Sequence, residues 1–182
     1  AALAAGLTGL EMGSDIGGSI RNPAHYCGVF GHKPTWGVLP MRGHAMPGVL
    51  TPSDISVIGP LARSAEDLKL VMDIVGGADD IHEPGWKLDL PQPQQKSLSE
   101  YKIAVWADDL NAPVEQSVKE RVLKVAKLVE DAGGEVDYGA RPDFDAAYSH
   151  DQYTNLLHSA MSARQPDEVF EQNWKRRQSL EE

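Results

Sequence analysis

The chain has 182 residues, of which 41% are apolar and 24% charged, the composition of an ordinary soluble protein that can bury a real core. Its formal net charge of −10 argues against a nucleic-acid surface and against a surface for anionic membranes. No apolar run approaches the roughly 20 residues of a membrane span, and the lone Cys27 cannot form an internal disulfide, which favours a reducing, cytoplasmic location.

The first predicted elements lead into a glycine-rich segment. Residues 1–6 are alanine-rich and typical of the end of a helix, and residues 7–12 predict a short strand. The segment that follows reads Gly13-Ser14-Asp15-Ile16-Gly17-Gly18-Ser19-Ile20-Arg21. Its Gly-Gly pair carries no Cβ atoms, so the main chain there can approach a ligand closely.

Ser19 is the residue of this segment that is best suited to a catalytic role. It is a candidate nucleophile at the end of a turn whose backbone N–H groups can point at a substrate. The candidate donors to an oxyanion are the N–H groups of Ile16, Gly17, Gly18 and Ser19 itself. An ordinary turn with a solvated serine is the alternative, which a bare Gly-Gly-Ser leaves open.

The residues that follow extend the pattern. They read Asn22-Pro23-Ala24-His25-Tyr26-Cys27-Gly28-Val29-Phe30-Gly31-His32-Lys33-Pro34-Thr35-Trp36-Gly37, and later Gly59-Pro60-Leu61-Ala62-Arg63-Ser64-Ala65-Glu66-Asp67-Leu68. The whole string resembles the amidase signature family, whose hallmark is G-[ST]-D-x-G-G-S-[IV]-R-x-P followed by C-G-x-x-G-x-K-P-T-x-G. The matches run in order over residues 13–68, and the remainder fits the family's continuation without identifying it alone.

The resemblance implies an α/β fold in which helices cover a mixed β-sheet core. It implies hydrolysis of a linear, small-molecule amide through a Ser–Ser–Lys triad, with an acyl-enzyme on Ser19 and no cofactor or metal. The expectation of no nucleic-acid and no membrane partner rests on the net charge of −10, and a homo-oligomer is compatible with the resemblance. In the family, the positions of Ser14, Asp15 and Arg21 support the motif loop, where the opposite charges of the last two could brace the turn.

The resemblance also exposes a gap. The family's lysine and middle serine, the latter in a G-G-S-S-G-G loop, precede the nucleophile, and no such loop occurs in this sequence. Lys33 matches the family's structural K-P-T instead of its base. We therefore expect the chain to be the central portion of a longer amidase, with little or no turnover as an isolated polypeptide.

Two other functions stay open. The chain could be a catalytically silent or interaction domain that retains the motif, or the glutaminase subunit of a tRNA-dependent amidotransferase. Ser56 stands where those subunits typically carry an aspartate, which favours a plain amidase. Cys27 matches a non-catalytic cysteine of the family, and the scattered His25, His32 and His44 have no zinc-site spacing.

The remaining elements follow in order. Residues 22–60 are dense in Gly and Pro and predict mostly loop with short strands. Ser64 predicts the start of a helix, with Asp67 supporting its first turn and Gly76-Gly77 its end. The predicted core face of this helix consists of Leu68, Val71, Met72 and Val75. Residues 78–99 are polar and predict an exposed connection.

The C-terminal part predicts a strand–helix–strand unit and further helix. Residues 102–106 indicate a buried strand, a helix follows from about Pro113, and Gly133-Gly134 precede a strand over 135–138, so a parallel pair under a crossover helix is expected. From Asp143 onward the sequence predicts mainly helix. The predicted buried positions are Val114, Val118, Val122, Val125 and Val129 in the first helix and Tyr148, Tyr153, Leu156, Leu157 and Met161 in the later part. The whole is expected to be one partial amidase domain, with a motif core over about 1–77, a connection over about 78–99 and a remainder over about 100–182.

Overall fold

The computed structural model describes residues 1–44, 53–162 and 165–181. Its contacts divide the chain into two compact units, Ala1–Asp89 with Thr154–Glu182, and Leu90–Tyr153. The described residues form a three-stranded antiparallel sheet, a two-stranded parallel sheet and five α-helices. This confirms the mixed α/β class, while the single partial domain with its internal boundaries stays a prediction.

The antiparallel sheet lies in the first unit and contains the beginning of the motif. Strand β1 (Glu11–Asp15) and strand β2 (Phe30–Gly31) flank the central strand β3 (Val57–Ala62), whose residues are all buried. Strand β1 begins four residues later than predicted and includes the first residues of the motif. A Cβ atom on Gly59 would lie 2.1 Å from the backbone oxygen of His32, so the close approach of the chain to β3 requires glycine there.

Helix α1 (Arg21–Cys27) lies where the sequence predicted loop, and that prediction was wrong. Pro23 is compatible with the helix because it stands in the first turn, where the backbone N–H groups have no partner within the helix. Gly28, with φ of 65°, ends the helix, and its N–H donates to the carbonyls of Ala24 and His25. The predicted loop that follows is present over residues 32–44, and the part over 45–52 lies outside the described residues.

A small apolar cluster lies beneath the motif. Leu3, Ile20, Ala24 and Leu61 are all buried and pack together, with Val29 partly buried against them. Leu3 belongs to hydrogen-bonded turns over residues 2–6, so the helix end expected there is wrong. The cluster joins the N-terminal turns, the motif loop, α1 and β3.

Helix α2 (Ala65–Val75) begins as the sequence predicts. Ser64 Oγ accepts a hydrogen bond from the N–H of Asp67 at 3.0 Å, and Gly76 follows the last residue. Its buried face is narrower than predicted, because Val71 is buried, Leu68 and Met72 are half-buried, and Val75 is exposed. Residues 78–99, which follow, are mostly exposed, as expected.

The second unit contains the predicted parallel pair. Strand β4 (Lys102–Ala104) and strand β5 (Glu135–Asp137) pair in parallel, and helix α3 (Gln116–Asp131) connects them. Strand β4 is shorter than the predicted buried strand: Lys102 and Ala104 are exposed, and Val105 is buried directly after it.

The apolar stripe of α3 is only partly covered. Of its predicted core valines, Val129 is buried and Val118 half-buried, whereas Val122 and Val125 are exposed. Val114, before the helix, is exposed as well. Within this unit α3 contacts β5 and the short turn Leu98–Glu100, which are too short to cover the whole stripe. The predicted burial was therefore wrong for three of the five valines.

The later part is helical as expected. Helix α4 (Ala146–Ser162) and helix α5 (Asp167–Glu181) account for most of it. No residue of α4 is buried among the described residues, so the predicted burial was wrong. Leu157 is half-buried, and the remaining predicted positions are exposed: Tyr148, Tyr153, Leu156 and Met161.

Candidate functional site

The motif loop folds around the carboxylate of Asp15, the last residue of β1. This side chain has no exposed surface, and its oxygens accept hydrogen bonds from backbone N–H groups of the loop that follows. The donors are Gly18 at 2.7 Å, Ile20 at 3.1 Å and Arg21 at 3.2 Å. The loop from residue 16 to residue 20 thus turns back on the end of the strand that precedes it.

The guanidinium of Arg21 pairs with the same carboxylate. Its Nε lies 3.0 Å from Asp15 Oδ2 and its Nη2 lies 3.0 Å from Oδ1, a bidentate arrangement. Burial raises the pKa of Asp15, but the bonds from Arg21 and from the loop N–H groups outweigh it and hold the pKa well below its usual range. The carboxylate is therefore charged throughout the physiological pH range.

Gly18 adopts a conformation that only glycine tolerates well. Its φ is 121°, and a Cβ atom there would lie 2.8 Å from Nδ2 of Asn22. The N–H of Asn22 also donates to the carbonyl of Gly18 at 2.7 Å, at the entry to α1. The second glycine of the motif is thus favoured by backbone geometry, and a Cβ atom there would in addition force the amide of Asn22 to move.

Ser19 stands on the exposed side of this loop. Its neighbour Ile20 is fully buried in the apolar cluster, so the backbone next to the hydroxyl is anchored. Within the described ranges, Ser19 Oγ has no hydrogen bond to a lysine, a histidine or a second serine. Lys33 is exposed in the loop after β2. Among the described residues, the candidate nucleophile thus lies on an anchored loop and no base is hydrogen-bonded to it.

The predicted oxyanion donors differ in what they already bond. The N–H of Gly18 donates to Asp15, whereas no described group accepts from the N–H of Gly17 or Ser19. Gly17 and Ser19 are exposed and Ile16 is half-buried. Gly17 and Ser19 are therefore the N–H groups in this loop that a substrate oxygen could use without displacing Asp15.

The other sequence candidates lie around the loop. Ser14 pairs with Ile58 in the sheet and is half-buried, and Cys27 is a free, half-buried thiol at the end of α1. Among the described residues, no group of three or more His, Cys, Asp or Glu side chains could hold a metal ion. In the same part of the chain, no helix combines the length and apolar character that crossing a bilayer requires.

Sequence reasoning assigned no role to Asn22 and Arg63. Asn22 fills the space beside Gly18. Arg63 donates from Nη1 to the backbone oxygens of Leu3 at 3.2 Å and Thr8 at 2.9 Å. The only signal for either residue was its place within the two motif segments.

Comparison with known proteins decides the family. The family model described as Amidase matches residues 1–181. The chain belongs to the amidase signature family. One relative of this amidase chain is a glutamyl-tRNA(Gln) amidotransferase subunit from Thermus thermophilus, 39% identical over 154 residues, which are 81% of this chain and 31% of the relative.

Solved structures of the family share the fold. The crystal structure of a glutamyl-tRNA(Gln) amidotransferase subunit from Thermotoga maritima superimposes with a TM-score of 0.72 at 28% identity, over 99% of this amidase chain and 40% of that one. Fatty acid amide hydrolase superimposes with a TM-score of 0.69 at 26% identity, over 86% and 28%. The chain thus spans about a third of the length of the relatives that it matches.

Proposed function

We propose that this amidase-family chain supplies the nucleophile, Ser19, and part of the oxyanion site of an enzyme that hydrolyses C–N bonds in small linear amides. The observation that carries the proposal is the motif loop, which exposes Ser19 while Asp15 and Arg21 hold its backbone from beneath. A solvated serine in an ordinary turn needs no such buried carboxylate paired with an arginine. Preorganised N–H donors beside a hydroxyl are what acyl transfer requires.

The proposed reaction begins when Ser19 Oγ attacks the amide carbonyl carbon and gives up its proton to a base. The carbonyl oxygen becomes an oxyanion that accepts hydrogen bonds from the N–H groups of Gly17 and Ser19. In a well-studied serine hydrolase, loss of one such donor costs about 2.7–4 kcal/mol. The C–N bond then breaks, the base returns the proton to the departing amine, and water hydrolyses the acyl group from Ser19.

The proposed reaction needs a general base, and the described residues do not place one beside Ser19. In the amidase signature family a lysine acts through a middle serine, and this sequence has no G-G-S-S-G-G loop to carry that serine. We expect little or no turnover from the isolated 182-residue polypeptide, because an unassisted serine hydroxyl is a weak nucleophile. A catalytically silent domain that retains the motif for folding or association would give the same low turnover.

A second candidate function is the glutaminase subunit of a tRNA-dependent amidotransferase. It is favoured by relatives named as glutamyl-tRNA(Gln) amidotransferase subunits, such as those of Thermus thermophilus and Staphylococcus haemolyticus, at 39% and 34% identity. Ser56, in place of the aspartate typical of those subunits, favours the plain amidase. Ammonia release from glutamine, compared with amine release from an aryl amide, distinguishes the two activities in a chain that turns over.

Labelling with a fluorophosphonate probe tests the nucleophile directly. One adduct by intact mass, absent from Ser19→Ala and retained by the matched control Ser99→Ala, which removes an exposed hydroxyl outside the motif, would show that Ser19 is activated and that a base is supplied to it. An adduct that persists in Ser19→Ala would overturn the assignment. No adduct on a folded chain would mean that Ser19 is not activated here. Adding, in trans, a segment of an amidase relative that carries the family's lysine and middle serine then separates an incomplete enzyme from a silent domain.

A further inference from the structure

Arg63 ties the start of the chain to the end of the central strand. It follows β3 directly, and its Nη1 donates to the carbonyl oxygens of Leu3 at 3.2 Å and Thr8 at 2.9 Å. Both carbonyls belong to the segment that leads into β1, the strand that ends at Asp15. One guanidinium nitrogen therefore fixes two points of the segment that enters the motif.

The segment that Arg63 binds is connected to Ser19 indirectly, through buried apolar residues. Leu3 is 1% exposed and packs in the cluster with Ile20, which is fully buried and follows Ser19 in sequence. Ala24 of α1 and Leu61 of β3 complete this cluster. Because packed interiors leave little free volume, a shift of Leu3 has to be accommodated by the residues that contact it. The connection thus runs from Arg63 to Leu3, to the cluster that contains Ile20, and to the backbone of Ser19.

We propose that Arg63 is a positioning residue for the motif loop, acting on Ser19 through the Leu3 carbonyl and the cluster beneath Ile20. The proposal rests on the proposed function only in naming Ser19 as the group that is positioned. Without the guanidinium, the carbonyl of Thr8 turns to water, the carbonyl of Leu3 keeps only the N–H of Gly6 as donor, and the turns at residues 2–6 loosen. Leu3 then withdraws from Ile20, and the loop loses its support from the core side.

Amide hydrogen exchange, measured by NMR with each variant folded, tests this coupling without any need for activity. Arg63→Met removes the donors and keeps an unbranched side chain, and Arg63→Lys keeps a cation. The matched control is Arg141→Met in the other unit, where Arg141 Nη1 similarly donates to the carbonyls of Val105, Tyr138 and Ala140. The amides to follow are those of Ala5 and Leu7 in the turns and of Gly18 and Ile20 in the loop.

We expect Arg63→Met to accelerate exchange about tenfold at both groups of amides, the factor that corresponds to one hydrogen bond of ordinary net strength. Arg63→Lys should restore protection in part, and Arg141→Met should leave both groups unchanged. Faster exchange confined to Ala5 and Leu7, or no change at all, would show that Arg63 does not reach the loop and overturn the proposal. If Arg141→Met accelerated amide exchange equally, the effect would be a general destabilisation, and the proposal would also be overturned.

Labelling kinetics separate positioning from stability wherever Ser19 reacts with the fluorophosphonate. A positioning role predicts that Arg63→Met lowers the maximal labelling rate constant and leaves the half-saturating probe concentration unchanged, with recovery in Arg63→Lys. Unchanged labelling kinetics on a reactive chain would contradict the proposal. If wild-type Ser19 does not react, that result concerns only the activation of Ser19, while the exchange measurement still decides the role of Arg63.

Discussion

At the scale of single residues, the carboxylate of Asp15 organises the motif loop. It accepts from the N–H groups of Gly18, Ile20 and Arg21 and from the guanidinium of Arg21, although it is fully buried. A buried charge is tolerated only when it is paired and hydrogen-bonded, and here both conditions are met. The sequence pattern predicted the pairing of Asp15 with Arg21, but not that Asp15 also engages the N–H of Gly18, because backbone direction is not encoded in residue spacing.

Asp15→Asn should destabilise the chain by about 1–3 kcal/mol, because an amide cannot satisfy both the loop N–H groups and Arg21. The lowered pKa of Asp15 gives this loss a pH dependence. The contribution of the carboxylate is complete above the unfolded pKa, about 3.9, and is lost as pH falls through the folded value. Urea unfolding at about pH 6 and about pH 3 should therefore show a smaller difference between wild type and variant at the lower pH, and an equal difference at both would contradict the assignment.

Gly18→Ala tests the backbone conformation of the same loop. With φ of 121° and Asn22 2.8 Å from the new Cβ, we expect a loss of about 1–3 kcal/mol in unfolding free energy. Gly9→Ala is the matched control, since Gly9 has open space around its Cβ position and no positive φ. Equal effects of the two substitutions would show that Gly18 is not conformationally required.

At the scale of elements, the sequence predicted a helix cap and a strand pairing correctly, whereas many of the residues predicted to be buried are exposed. The cap at Ser64 and the parallel pair around α3 depend on residues close in sequence, or on connection rules, and both are present. Burial depends on what packs across an element, and the exposed Val122 and Val125 show that an apolar stripe alone does not establish a partner. Helix α1 was missed because the density of Gly and Pro outweighed the compatible position of Pro23.

Ser64→Ala should cost about 0.5–2 kcal/mol of unfolding free energy, because the N–H of Asp67 loses its acceptor at the start of α2. Ser64→Asp is the control, since its carboxylate can accept the same bond and favours a helix N-terminus. Thermal or urea unfolding followed by circular dichroism measures both. A loss in Ser64→Asp as large as that in Ser64→Ala would mean that the hydroxyl acts in some way other than capping.

At the scale of the whole molecule, many large apolar side chains are exposed in each of the two compact units. Leu7 and Ile74 are exposed in the first unit and Leu110 in the second. The chain also spans about a third of the length of its amidase relatives.

We therefore expect the isolated chain to self-associate, because apolar surface of this extent gains free energy when it is removed from water. Light scattering coupled to size-exclusion chromatography should give a mass that rises with concentration, and a dye that binds exposed apolar surface should fluoresce strongly. Replacing the exposed Val122 and Val125 by Thr, which keeps the branched shape and adds a hydroxyl, should reduce the association if the uncovered stripe of α3 contributes to it. A sharp monomer peak with cooperative unfolding in the wild type would show instead that these 182 residues form an independent folding unit.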